Sequence, residues 1–393
     1  MSLEFVNSWN DNILVASEST FGTSPNPVGS QAMEFVSCEM GPIELGQIRP
    51  QRDRNSGRGP TTAYVEGRVA PIPFSIETSV KSRSAIDAAP RELPLYVAAG
   101  LYTQGNASTS YTATATNDPV ASTAFAGVSV RRAFGDRAAA SIYEAEQGRG
   151  GIIKTLDWSG GDKEVMLKAS GVFMGKYHLG YAVSVTLANG SATSVDLGTS
   201  EAAQNFGLGY YLIESEVVNV TAVDVSTHLA TIVRGALSTS AVAHSAKAML
   251  PYMPAPSVSG SPISEATASS CVLDSVTLPV LSWSVSLTTG ADASPGETGS
   301  KYFTQPVFKR YDSKVKLKLQ LRREGVSLLG KATRKKSPLA LSLSQGSAVG
   351  GVLTFTWANM ELDAFAVPDT NDGPVIVDLS LRNFGNEFTL TLT

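Results

Sequence analysis

Residues 308–323 read Phe-Lys-Arg-Tyr-Asp-Ser-Lys-Val-Lys-Leu-Lys-Leu-Gln-Leu-Arg-Arg, and polar and apolar side chains alternate from Lys314 onward. Because successive side chains of a β-strand point to opposite faces, this pattern predicts a strand with one buried face and one solvated face. The expected buried face consists of Val315, Leu317, Leu319 and Leu321, and the expected solvated face of Lys314, Lys316, Lys318 and Gln320.

The predicted strand lies in the most basic part of the chain. Residues 301–336 contain twelve Lys or Arg and two acidic residues, a local charge of +10 in a chain whose net charge is −4. A cationic strand in an otherwise acidic protein can attract the acidic surface of another copy, which favours self-assembly. The alternative is that the lysines only keep an exposed strand soluble and unpaired.

Length and composition indicate a β-rich globular protein. A chain of 393 residues exceeds one ordinary core, so two or three domains are expected. The chain is 42% hydrophobic and 17% charged and is rich in Gly, Pro, Ser and Thr, which is typical of strands and turns. No apolar run reaches the roughly 18 residues that span a bilayer, and the first residues do not resemble a secretory signal. We therefore expect a soluble protein that does not contact membranes.

The residues of common catalytic and metal sites are scarce. Cys38 and Cys271 are far apart, which excludes a disulfide framework or a cysteine-rich metal site. The three histidines, His178, His228 and His244, are interpreted as structural. The chain has no Gly-x-Ser-x-Gly, Walker A, His-Glu-x-x-His or Rossmann motif. We expect no enzymatic activity, no cofactor and no metal.

The order of the predicted elements is similar in the first and last thirds. Each has a strand, a long loop (46–62 and 288–304), a second strand, a short helix (88–102 and 325–335) and further strands. Residues 161–173 align with residues 372–384, and 150–158 with 350–357, which indicates an internal duplication. The closing run 374–392 is predicted to be a hairpin around Gly385-Asn386. Between the two thirds, strands 214–225 and 229–233 form another predicted hairpin, followed by a Pro/Ser-rich linker.

The sequence therefore predicts a mainly β protein with two tandem β-sandwich or barrel domains, each carrying a short helix, and a small β-rich inserted module. The expected boundaries are 1–185 for the first domain, 186–268 for the module and its linker, and 269–393 for the second domain.

Several stretches resemble the tail tube proteins of long-tailed bacteriophages. They are Glu18-Ser-Thr-Phe-Gly-Thr23, the arginine-rich loop 46–62, the segment Pro90-Arg-Glu-Leu-Pro-Leu-Tyr-Val-Ala-Ala-Gly100 and the run that begins Asp372-Gly-Pro-Val-Ile-Val-Asp. The segment from Glu214 to His244 is similar to a module common in phage tail proteins. Ser238-Thr239 stands where that module commonly has Gly-Thr.

The resemblance implies a β-sandwich subunit whose sheets join edge to edge around a ring of six tube domains. Rings stack into a tube that holds the tape measure protein, meets the tail terminator and distal tail proteins, and passes DNA without sequence-specific binding. With two such domains per chain, three copies would close a pseudo-hexameric ring; with one, six copies would be needed. We expect three, in a virion tail assembled in the host cytoplasm.

The resemblance also implies where copies meet. The loops 46–62 and 288–304 resemble the family's stacking loop, so we expect inter-ring or inter-subunit contacts at Arg49, Arg52, Arg54, Arg58, Asp292 and Glu297. The lysine face of Lys314, Lys316 and Lys318 is a further candidate interface. The middle module would lie on the outside of the tube, because a bulky insertion would not fit the lumen.

Three other functions share parts of this pattern. A surface adhesin or carbohydrate-binding sandwich would expose aromatic residues on loops, whereas Trp9, Trp158, Trp283 and Trp357 mostly fall within strand patterns. A nucleic-acid-binding protein could use the basic region, but that region lacks interleaved aromatics after Tyr311. A secretion-system tube would share the fold of a tail tube.

Overall fold

The chain was analysed as a computed structural model. It describes residues 12–42, 71–83, 88–106, 110–115, 125–136, 141–161, 163–179, 183–255, 257, 260–263, 270–293, 306–308, 311–320, 330, 338–346, 351–366, 375–383 and 388–393. The fold is mainly β, as the sequence predicts.

Up to residue 179, the described residues form ten strands and one short α-helix. The strands are β1 (Asn12–Ser17), β2 (Ala32–Glu34), β3 (Ser37–Met40), β4 (Ile72–Ser79), β5 (Leu101–Asn106), β6 (Ser110–Ala115), β7 (Val128–Asp136), β8 (Ser141–Gly161), β9 (Met166–Phe173) and β10 (Gly175–His178). A 3-10 turn spans Gly29–Gln31, and α1 spans Leu93–Ala98. The helix ends before Gly100, whose φ of 74° lies in the left-handed region that favours glycine.

The middle of the chain forms a separate six-stranded sheet, here called the middle module (residues 183–251). Its elements are β11 (Val183–Leu187), β12 (Ser194–Asp196), α2 (Ser200–Asn205), β13 (Gly209–Ile213), β14 (Glu216–Asp224), β15 (Leu229–Ala236) and β16 (His244–Pro251). The strand order is β11-β16-β13-β14-β15-β12. The predicted hairpin is confirmed as the antiparallel pair β14–β15. The sequence did not predict the helical turn α2, whose N-cap Thr199 accepts a hydrogen bond from the Ala202 amide.

From residue 270 onward, the described part of the chain forms ten more strands. They are β17 (Ser270–Leu273), β18 (Val276–Leu278), β19 (Val280–Thr288), β20 (Ala291–Ala293), β21 (Pro306–Phe308), β22 (Asp312–Gln320), β23 (Leu339–Gln345), β24 (Leu353–Ala366), β25 (Ile376–Asn383) and β26 (Thr389–Leu392). Except for Gly330, the predicted helix 325–335 lies outside the described residues.

The pattern of strand pairing occurs twice. In the first part of the chain, β2, β1, β7 and β8 are successive neighbours, and β10 pairs with the other edge of β8. The second half of β8 pairs with β9, which is followed in the sheet by β4 and β3. In the last part of the chain, β18, β17, β23 and β24 are successive neighbours, and β26 pairs with the other edge of β24. The second half of β24 pairs with β25, which is followed in the sheet by β22 and β19. We call these the first repeat (β1–β10) and the second repeat (β17–β26).

The two repeats join through one antiparallel contact, β8 with β19, which runs from Thr155 opposite Thr288 to Gly161 opposite Ser282. This contact creates a continuous sheet of eight antiparallel strands in the order β3-β4-β9-β8-β19-β22-β25-β24, here called the central sheet. The first halves of β8 and β24 leave the central sheet and belong to a second layer. A long strand that bends in this way can serve both layers of a sandwich.

One hydrophobic core fills the space between the layers and includes residues of both repeats. Trp158 and Trp283 of the central sheet contact Phe355 of the second layer, with ring centroids 5.3 and 5.5 Å apart. Trp158, Trp283 and Trp357 are all buried, and Trp9 lies outside the described residues. The core therefore holds the two repeats together as well as stabilising each one.

The predicted C-terminal hairpin is wrong. β25 pairs with β22 and with the second half of β24, whereas β26 pairs with β6 and with the first half of β24. β24 is fourteen residues long, so the two strands lie one after the other along the same edge of it. The apolar alternation predicted two strands correctly, but a shared third strand replaces the expected contact between them.

Candidate assembly surface

The outward face of the central sheet carries the lysines that the sequence singled out. Lys314, Lys316 and Lys318 are exposed on β22. The intervening Val315, Leu317 and Leu319 are buried, which confirms the predicted two-faced strand. Alternate residues of a strand are about 7 Å apart, so the three ammonium groups form an evenly spaced row.

The neighbouring strands surround this row with small polar side chains. β19 places Ser286, Ser284 and Ser282 opposite the three lysines, and β25 places Arg382, Ser380 and Asp378 on the other side. None of the three lysines forms an ion pair with another residue that the structure describes. Two adjoining grooves of about 950 and 440 Å³ lie along this face. The face is therefore open, polar and unlike the packed side of the same strands.

On this face, equivalent positions of the two repeats carry opposite charges. Glu77 on β4 lies opposite Lys168 on β9 in the first repeat, and Lys318 on β22 lies opposite Asp378 on β25 in the second. β4 corresponds to β22 and β9 to β25, so each repeat has one acid and one base on the same strand pair with the signs reversed. Opposite charges across neighbouring strands stabilise a sheet weakly, by about 0.2–1 kcal/mol per pair.

Neither end of the central sheet has a further neighbour among the strands that the structure describes. β3 pairs with β4 on one side and with no other described strand. The second half of β24 pairs with β25, and its other edge has no described partner beyond Met360, where β23 ends. Unpaired edges of this kind can pair with another chain.

Only some of the predicted contact residues can be placed. Asp292 accepts a hydrogen bond from Lys154 Nζ at 2.8 Å, so it links the second repeat to the first within one chain. Lys314, Lys316 and Lys318 share one exposed face, on a strand that only β25 separates from the edge strand β24. Arg49, Arg52, Arg54, Arg58 and Glu297 lie outside the described residues.

A buried glutamine, Gln345, reinforces the contact between the repeats, a role that was not predicted from the sequence. Gln345 Oε1 accepts hydrogen bonds from Gly161 N and Trp283 Nε1, both at 2.8 Å, and its Nε2 donates to the Lys163 carbonyl oxygen. One side chain of β23 therefore ties the end of β8 to β19. Gln345 is in phase with Leu339, Leu341 and Leu343 in β23, so alternation could have placed it on the buried face, but its partners are known only from the strand pairing.

The segment from Glu214 to His244 of the middle module contains a hydrogen-bonded cluster centred on buried Glu216. Arg234 donates to both carboxylate oxygens, through Nε at 2.6 Å and Nη2 at 2.8 Å, and His244 Nε2 lies 2.9 Å away. The amides of Gly235 and Val242 also donate to Glu216. Burial alone would raise the pKa of this carboxyl, but the bonds from Arg234, Gly235 and His244 outweigh it and hold the pKa at about 2.

The middle module is fixed to the first repeat by buried Arg131 on β7. Its guanidinium donates through Nε to Gln147 Oε1 at 2.9 Å and through Nη1 to the Tyr252 carbonyl oxygen at 2.7 Å. Burial lowers the pKa of Arg131 to about 10. Because Gln147 and the Tyr252 carbonyl, which directly follows the module, meet at one planar guanidinium, the module has a defined position on the repeat.

The described residues offer little for catalysis. They contain no cluster of three or more His, Cys, Asp or Glu that could hold a metal ion. Burial raises the pKa of the Cys38 thiol to about 11 and that of Cys271 to about 12, so both remain protonated at neutral pH. No helix within the described ranges is long and apolar enough to cross a membrane.

Comparisons with protein-family models and with curated proteins found no match for this chain.

Proposed function

We propose that this chain is the structural subunit of a bacteriophage tail tube, which polymerises as stacked rings around a lumen and performs no chemistry. The observation that carries the proposal is the β8–β19 contact, through which one repeat extends the sheet of the next by backbone pairing. The same kind of contact between chains would extend the sheet into a closed ring. Closure removes the open edges, which are otherwise an aggregation hazard.

The number of strands favours such a ring. Every neighbouring pair in the central sheet is antiparallel, and the sheet has eight strands. With an even number, the first and last strands run in opposite directions, so β24 of one copy meets β3 of the next as an antiparallel neighbour. Two repeats per chain make a ring of three chains equivalent to six repeats.

In this ring the open polar face turns toward the lumen. The other face of the central sheet is covered by the second layer of each repeat, so the lysine row faces the hollow interior rather than a neighbouring chain. We propose the tape measure protein as its resident partner and DNA in transit as a passing one, without sequence-specific contacts. The middle module, held on β7 and β8 of the second layer, lies on the exterior.

The test is the assembly state of the purified full-length chain. Light scattering after size exclusion, with negative-stain electron microscopy, should reveal rings or tubes with a central hole that grow with protein concentration. A minimal ring should have three times the 41.2 kDa chain mass, and six times would reject the pseudo-hexamer. A chain that stays monomeric at every concentration would overturn the proposal.

A further inference from the structure

The two repeats can be aligned residue by residue because both contain the same irregularity. The pairing of β8 with β9 shifts register between Ile153 and Thr155, and the pairing of β24 with β25 shifts between Leu362 and Ala364. A β-bulge at the same place in two copies of a strand pair gives a fixed reference point. It makes Ile153 equivalent to Leu362 and Leu156 equivalent to Phe365.

From this bulge, a row of directly paired residues can be followed across four strands in each repeat, and the two rows match strand by strand. In the first repeat the row is Ile153, Gly171, Phe74 and Met40, and in the second it is Leu362, Leu381, Val315 and Val285. β3 is therefore the counterpart of β19, and Met40 is the counterpart of Val285. Two residues further along, Pro42 corresponds to Leu287.

Equivalent residues differ sharply in burial at the end of the sheet. Leu156 is 0% exposed because β19 lies beside it and places Leu287 directly opposite. Phe365, its counterpart, is 43% exposed, and the β24 edge that bears it has no described neighbour. A large aromatic residue left open where its counterpart is covered indicates a missing partner strand.

The strand that would cover Phe365 is present at the opposite end of the same sheet. β19 covers Leu156, and β3, the counterpart of β19, has an open edge. Within one copy, β3 and β24 could pair only if the eight-stranded sheet closed on itself. These two end strands are not paired with each other. Among the described strands, β3 of a second copy is therefore the one that matches the missing partner.

We infer that the end of β24 pairs antiparallel with the end of β3 of another copy of this chain, in the register that β8 uses with β19, so that Phe365 lies opposite Pro42 and Ala366 opposite Gly41. This inference rests on the proposed tube function and specifies which strands join the chains and in what alignment. Phe365 then becomes as buried as Leu156. The contact is heterologous, with different strands on the two partners, as a closed ring requires.

Two variants test the role of Phe365. Phe365→Asp would bury a charge at the contact, so we expect the concentration needed for assembly to rise by about tenfold or more. Val233→Asp is the matched control, because Val233 is 53% exposed on the middle module, away from both edges. The control should assemble like the unaltered chain, and circular dichroism checks that both variants fold.

Cysteine cross-linking tests the register. The double variant Phe365→Cys and Pro42→Cys should form disulfide-linked oligomers on oxidation, and neither single variant should. Phe365→Cys combined with Val233→Cys controls for random collisions. Tubes that form without this cross-link, and that tolerate Phe365→Asp, would overturn the inference and leave the tube function standing. A monomeric unaltered chain would overturn both.

Discussion

Three buried glutamates illustrate how single residues stabilise or strain this fold. Glu18 accepts hydrogen bonds from Ser129 Oγ, Gly150 N and Gly22 N, so its carboxylate is well satisfied where β8 bends. Glu216 is equally well satisfied in the middle module. Glu92, before α1, is different: Oε1 accepts one long bond of 3.3 Å from Lys81 N, and Oε2 has no hydrogen-bond partner in the described structure.

Glu92 should make stability depend on pH. Burial raises the pKa of its carboxyl from 4.5 to about 7. Between these values the unfolded chain has lost the proton that the folded chain retains, so stability falls as pH rises from 4.5 to 7 and levels off above. Glu92→Gln has no carboxyl to ionise and so avoids this fall in stability. The variant should be more stable than the unaltered chain by about 3 kcal/mol at pH 8, with little difference near pH 4.5.

Urea unfolding at pH 4.5 and pH 8 measures this effect. Glu164→Gln, at an exposed carboxylate of the same repeat, controls for the loss of one acid. If the stabilities of Glu92→Gln and the unaltered chain differ by the same amount at both pH values, Glu92 does not retain its proton in the folded chain.

At the scale of elements, the loop between β15 and β16 contains a turn that suits glycine better than the residues present. Leu237 and Ser238 have φ values of 52° and 64°, in the left-handed region. Ser238 is also exposed, so its side chain makes no buried contact that a glycine would lose. A residue other than glycine pays about 1–2 kcal/mol in this region.

Ser238→Gly should therefore stabilise the middle module, by about 0.5–1 kcal/mol after the extra freedom of glycine in the unfolded chain is subtracted. Slower amide hydrogen exchange across β14, β15 and β16 would measure it. Ser240→Gly, in the same loop but without a left-handed φ, is the matched control and should be neutral or destabilising. Equal effects of the two changes would show that the turn stores no strain.

The sequence predicted the strands far better than their partners. Alternation located β22, the β14–β15 hairpin and the helix before Gly100, because periodicity and turn residues are local signals. Pairing is not local: β25 and β26 follow each other in the chain but share β24 as a neighbour. The candidate edges β3 and β24 could not be found from sequence for the same reason, since an edge is defined by which neighbour is absent.

The internal duplication also shows that strand pairing is not found from sequence alone. The aligned segments 161–173 and 372–384 do contain the equivalent strands β9 and β25, but pairing sets Gly171 against Leu381, one position away from that alignment. A one-residue slip turns every side chain to the opposite face. The second aligned pair is wrong: Trp158 lies in the half of β8 that pairs with β9, whereas Trp357 lies in the half of β24 that pairs with β23. The reversed charges of Glu77 and Lys318 become visible only in the correct register.

At the scale of the whole molecule, the two repeats and the middle module have different roles. The repeats share one core and one sheet, whereas most of the module's buried residues form a second core of their own. The module touches the rest mainly through Arg131 and through Ala133, Ala145 and Leu179 of the first repeat. This separation predicts that the module can be removed without disturbing the central sheet.

Deleting residues 183–251 tests this prediction, and it is feasible because Val183 pairs with Met249, which brings the two ends of the module close together. A short Gly/Ser linker across the gap, with Leu179→Ser to replace the newly exposed leucine, should give a folded chain that still assembles. Electron microscopy should then show tubes of smaller outer diameter and unchanged lumen, because the module is attached to the second layer and, in the proposed tube, the central sheet would line the lumen. A folded deletion variant with a wider lumen would place the module inside the tube, and one that no longer assembles would make it part of the contact between copies.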